Sequence, residues 1–184
     1  MLFDTQKETH AFSNSIVSMS HPASFISSQD DYLSKYLREI DWRKADECYH
    51  FTSNGRFALH DMLIHIASRI GDANCIVSSF NLSVIAAKMF IRAWDKGFFK
   101  SLAFVLNAQK KSNFADAIKL IDGKFPMVFT NIHAKVGLLW NDKQFITIVT
   151  TGNLSSNNNI ERGFISTAKD IFDFDKKWID ELFN

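Results

Sequence analysis

Apolar segments whose period switches between helical and strand-like constrain the fold of this chain more than any other feature. Leu59, Met62, Leu63, Ile66, Ala67 and Ile70 recur every three or four residues, which lays them along one face of a helix. Gly71 follows and stops it, because glycine enters left-handed backbone without a Cβ clash. Asn74–Phe80 is a short apolar run suited to a buried strand. Ser83 offers a hydroxyl to cap a second helix, which runs to about Lys96 and ends at Gly97. Leu102–Leu106 reads as a further strand, and a third helix fits Asn113–Ile121 before Gly123. With Cys48–Thr52 as a short strand ahead of them, this strand–helix alternation predicts parallel strands joined by right-handed crossovers.

The second half changes character. Pro126–Ile132, His133–Trp140, Gln144–Thr150 and Gly163–Thr167 are consecutive strand candidates, with Asn141-Asp142 as a tight turn. A closing helix carries Ile171, Phe172, Trp178, Ile179, Leu182 and Phe183 on one side. The expected fold class is α/β: a layered α/β/α domain with a mixed sheet whose first strands are parallel. No internal repeat is visible.

Residues 1–29 are rich in Ser, Thr, Asn, Gln and His without a sustained period, and read as a loosely ordered arm. Asp30 and Asp31 are N-cap candidates for a helix spanning Asp31–Arg43, marked by Tyr32, Leu33, Tyr36, Leu37 and Ile40. The division expected is therefore residues 1–44, arm plus one helix, and residues 45–184, the main domain. The formal net charge of +1 excludes a global basic field but leaves room for a local basic groove. The two cysteines, Cys48 and Cys75, form no CxxC pair and have no zinc spacing with histidines, which fits a reducing compartment. No basic-then-apolar leader and no membrane-length apolar stretch of about 20 residues is seen. The expected localisation is cytoplasmic.

Chemistry concentrates in His133-Ala-Lys135-Val-Gly-Leu-Leu, then Thr150-Thr151-Gly152-Asn153-Leu154-Ser155-Ser156-Asn157, then Asn159-Ile160-Glu161. On a strand, residues two apart face the same side, so His133 and Lys135 present an imidazole and an ammonium together. The next strand should run alongside and end near Thr151–Asn153, supplying hydroxyl and amide donors to the same anion. Glu161, read as lying in a polar loop, can accept a hydrogen bond from the histidine and orient it. Nothing in the arrangement calls for a metal, and no cofactor is expected.

These residues resemble the phospholipase D superfamily, whose signature is H-x-K, four residues and Asp, followed by a Gly-Ser-x-Asn-like strand end. The run TTGNLSSNNNIERG is similar to the second element, and GRFALHDMLIHIASRIGDANCIVSSFNLS resembles the opening helix and first strand of small single-motif members. The resemblance covers residues 50–168. It implies His133 as a covalent nucleophile forming a phosphohistidine, with Lys135 and Asn153 holding phosphoryl oxygens. Thr151 would stand where a serine often assists, and Glu161 would orient His133. Ser155, Asn157 and Ser78 would support the phosphate site. One motif per chain implies a homodimer in which the second copy's histidine protonates the leaving oxygen. The pattern's Asp would fall at position 140, where Trp140 stands, on the strand face opposite His133 and Lys135.

Other groups carry less. His60 and His65 are five apart and do not share a helix face, which argues against a zinc helix. Lys110-Lys111 reads as a solvated helix start, and Ser78-Ser79 as strand-end hydroxyls bonding to a neighbouring loop. The functional reading is a metal-independent phosphodiesterase, acting as a nuclease on DNA or RNA. A phosphate-binding domain with weakened turnover and a docking protein built on the N-terminal arm are the competing readings.

Overall fold

The structure, a computed structural model, describes residues 17–18, 32–55, 57–156 and 158–184. The arm expected over residues 1–29 (Val17 and Ser18 apart), the caps Asp30 and Asp31, and Asn157 lie outside the described residues.

The elements are β1 (Val17–Ser18), α1 (Tyr32–Glu39), β2 (Cys48–Asn54), α2 (Leu59–Ile70), β3 (Ala73–Ser79), α3 (Val84–Asp95), β4 (Phe99–Asn107), a 3-10 turn (Ala108–Phe114), α4 (Ala115–Ile121), β5 (Met127–Thr130), β6 (Val136–Trp140), β7 (Phe145–Thr150), β8 (Ile160–Ser166) and α5 (Lys169–Glu181). The strands form one mixed sheet in the order β1-β2-β8-β7-β6-β3-β4-β5. β3, β4 and β5 are parallel, and every other neighbouring pair is antiparallel. The expected α/β class and mixed sheet are what the chain adopts. The crossover from β2 to β3 is wider than the alternation suggested, because three antiparallel strands fill the space between them.

Helices cover both faces. Leu63, Ile66, Ala87, Phe90 and Ile121 from α2, α3 and α4 pack with Cys75, Val77, Phe104 and Leu139 on one side. Leu37 and Ile40 of the α1 region join the same core. On the other side Phe172 and Ile179 of α5 meet Val105, Val136 and Leu138. Leu138 and Leu139 point to opposite layers, as the two-residue strand period requires.

Local signals formed as read. Ser83 Oγ accepts the Ala86 N–H at 3.1 Å and caps α3. Gly71 ends α2 at φ 67° and donates to the Ala67 carbonyl at 3.1 Å. Asn141 turns the chain between β6 and β7 by accepting the Lys143 and Gln144 N–H groups, both at 2.9 Å. Gly163 is obligatory for packing: a Cβ there would lie 2.2 Å from the Val149 carbonyl oxygen and 2.7 Å from the Phe51 ring.

Three expectations need correction. The helix placed at Asn113–Ile121 is a 3-10 turn through Phe114 followed by α4. The strand placed at His133–Trp140 begins only at Val136, so His133 and Lys135 precede it. Glu161 is the second residue of β8 rather than part of a loop.

Candidate phosphate-binding site

The C-terminal ends of β3, β4, β5 and β7 and the N-terminal ends of β6 and β8 share one edge of the sheet, and the chemistry-bearing segments leave from that edge. The His133–Lys135 stretch lacks strand hydrogen bonding, yet it is pinned on both sides. Buried Asn107 donates Nδ2–H to the Ile132 carbonyl at 2.6 Å. Fully buried Ser78 directs its hydroxyl to the Ala134 carbonyl at 3.2 Å and accepts the Val136 N–H at 3.1 Å. The Thr150 N–H reaches the Lys135 carbonyl at 3.1 Å. A segment held this way keeps one conformation without a ladder, because its polar backbone groups find partners.

His133 is exposed and Lys135 is buried, 6% accessible. The ammonium donates to the His133 carbonyl at 2.7 Å and lies 3.1 and 3.3 Å from the two ring nitrogens of the same residue. The two side chains converge as expected, by a tight local fold rather than by strand alternation. Burial pulls the Lys135 ammonium below the usual lysine range, and the charge of Glu161 opposes that shift.

The loop after β7 is locked to the loop after β3. Ser79 Oγ accepts the Leu154 N–H at 3.0 Å and donates to the Asn81 carbonyl at 2.7 Å. The Ser83 N–H meets the Leu154 carbonyl at 2.9 Å. Asn153 Oδ1 stands 3.5 Å from the Ser79 hydroxyl. The Thr151 hydroxyl donates to the Glu161 carboxylate in a short hydrogen bond and accepts the Arg162 N–H at 3.0 Å. Gly152 allows this approach, since a Cβ there would sit 3.3 Å from Glu161 Cγ. The structure thus joins Glu161 to Thr151. Ser155 is half-buried in the same loop. Ser78 supports the backbone from inside and is inaccessible to a ligand.

One neighbour of His133, Phe80, was not singled out from sequence. The Phe80 ring lies 4.9 Å from the imidazole, centroid to centroid, and Lys110 stands 5.7 Å from the same ring. Phe80 directly follows a strand end, a position where α/β folds place sites, and that signal was available. Lys110 is half-buried, not the fully solvated charge expected.

Trp140 lies at the opposite end of β6, edge-on to Phe172 at 5.6 Å. His60 is buried, which pulls its imidazole below the usual histidine range against the charge of Asp61, and its Nδ1 has no partner among the described residues. Among those residues no group of three or more His, Cys, Asp and Glu could hold a metal ion. No helix among them is long and apolar enough to cross a membrane.

No protein-family model matches the chain, and no curated protein matches its sequence. Solved structures do match. Polyphosphate kinase from Porphyromonas gingivalis superposes with a TM-score of 0.58 at 13% identity, over 84% of this chain and 29% of the kinase. NucT from Helicobacter pylori superposes with a TM-score of 0.55 at 15% identity, over 74% of this chain and 96% of NucT. The chain therefore spans under a third of the kinase and nearly the whole of NucT. The fold these likenesses share is the phospholipase D-like fold.

Proposed function

We propose that this phospholipase D-like chain is a metal-independent phosphodiesterase acting on nucleic acid, with His133 as nucleophile. One observation carries the reading. An exposed imidazole and a buried ammonium converge at the sheet edge from which the loop carrying Asn153 also leaves, on segments anchored by Asn107, Ser78 and Ser79.

A ring nitrogen of His133 attacks phosphorus, forming an N–P bond as the bond to the leaving oxygen breaks. Lys135 leaves the ring to meet the phosphoryl oxygens, freeing the lone pair for attack. Asn153 Nδ2 donates to the same oxygens, where charge gathers in the transition state. Thr151 and Glu161 brace the loop that carries Asn153. The leaving oxygen needs a proton, and the same histidine of a second copy would deliver it in a two-fold dimer. Water then cleaves the N–P bond, giving a phosphomonoester and restoring the imidazole.

The test is cleavage of a single-stranded oligonucleotide in EDTA by the wild type and His133→Ala, with the association state measured by sedimentation equilibrium. The reading expects cleavage that survives EDTA, falls more than about a thousandfold in the variant, and scales with the dimer fraction. Full cleavage by His133→Ala would sink it. Salt-sensitive binding without cleavage would favour a phosphate-binding domain instead.

A further inference from the structure

β3, β4 and β5 are parallel, so Phe80, the turn at residues 108–114 and Phe129 all lie near the edge that carries His133. Two ammonium groups share the Phe80 ring: Lys135 and Lys110, each 5.7 Å from its centroid. Toward β5, Lys111 stands 4.4 Å over the Phe129 ring. The turn bearing both lysines is anchored by the residue that anchors the nucleophile. Asn107 accepts the Gln109 N–H at 2.9 Å while it donates to the Ile132 carbonyl at 2.6 Å. Among the described residues neither Lys110 nor Lys111 enters an ion pair. An ammonium resting on a ring keeps its hydrogens for an anion, and a phosphate oxygen is a stronger partner than a ring face.

We infer that Lys110, held by Phe80, binds a second phosphate beside the scissile one, so that the site takes a chain of phosphodiesters rather than an isolated diester. The inference rests on the phosphodiesterase reading above and adds a second phosphate subsite to it. Lys111 and Phe129 continue the same line toward β5, two strand spacings from β3, ~9.6 Å. A base can rest on either ring where the chain is unpaired. The row explains why a chain of almost zero net charge needs no wider basic field: the cations stand where a polyanion would leave the nucleophile.

The experiment uses the full-length protein in two arms. In the His133→Ala background, fluorescence anisotropy follows binding of a labelled single-stranded oligonucleotide across a salt series. Lys110→Ala should raise Kd about tenfold and flatten the slope of log Kd against log salt by about 0.7, the counterion share of one single-strand phosphate. Lys110→Arg should restore both, which a merely misfolded variant would not do. Lys111→Ala should give a smaller change of the same kind. With His133 intact, kcat/KM is compared for the oligonucleotide and for bis(p-nitrophenyl) phosphate, where Lys110→Ala should cost the oligonucleotide at least about ten times more. Unchanged affinity and salt slope, equal losses on both substrates, or a wild type that binds no oligonucleotide would overturn the second subsite. Absent cleavage of both substrates by the wild type would instead overturn the phosphodiesterase reading, while the binding arm still decides Lys110.

Discussion

The two ends of β6 differ in what their residues face, although one motif pattern spans both. At the first end His133 and Lys135 lie outside the ladder, pinned by Ser78 and Asn107, and turn toward the open edge. At the other end, roughly 17 Å along at strand rise from Lys135, Trp140 sits on the opposite face. Its ring is edge-on to Phe172 and 5.0 Å from the Lys176 ammonium, and its carbonyl accepts from Asn74. The resemblance puts an Asp at position 140, and this chain spends the position on packing α5 to the sheet. A departure from a motif therefore weighs differently according to which layer of the fold the position serves.

The largest expected effect separating the two ends is at Trp140. Trp140→Ala should lower unfolding free energy by about 3 kcal/mol, the low end for loss of a large aromatic because the ring is only part-buried. The folded fraction should keep kcat/KM within about threefold. Trp140→Asp should be no more active and no more stable. Urea unfolding alongside kinetics checks both, and a gain in activity from Trp140→Asp would break the comparison.

Ser78→Ala sharpens the other end. It strips the Val136 N–H and the Ala134 carbonyl of their buried partner, which should cost about 1–3 kcal/mol, measurable by the same urea titration. Turnover should also fall, because the hydroxyl holds the segment that carries His133.

The smallest effect is a shift with pH. Burial holds the Lys135 ammonium below the usual lysine range, so its proton leaves at a lower pH in the folded protein than in the unfolded chain. Oligonucleotide affinity should then decline with rising pH before free lysine titrates. Stability should rise slightly over the same window, since the unfolded chain holds more protons there. Lys135→Arg, charged throughout, should move the binding limb upward. An alkaline limb that does not respond to this change would assign the titration elsewhere.

Much of the fold was legible because its signals are local. The period of α2, the glycine stops at Gly71, Gly97 and Gly123, and the Ser83 cap act within a few residues. The pairing of β2 with β8 was not legible, since it joins residues more than a hundred positions apart and no local period records it. In the site, the spacing of His133 to Lys135 pointed to a shared location, but the geometry differs. Anchors at Ser78 and Asn107, themselves distant in sequence, replace strand pairing there. Glu161 was misread as a loop residue because the polar Asn158 and Asn159 lie just before Ile160, while its register is set by Ser53 on β2. Phe80 and Lys110 were unreadable as a pair, because only the parallel run of β3 and β4 brings their ends together.

The most direct test of the central claim is the mass of the protein quenched at alkaline pH during turnover of a single-stranded oligonucleotide in EDTA, with peptide mapping of any adduct. The account predicts a phosphoryl adduct on His133 that is stable to base, lost in acid and absent in His133→Ala. Product formation with no adduct at His133, or an adduct that persists in the variant, would contradict it.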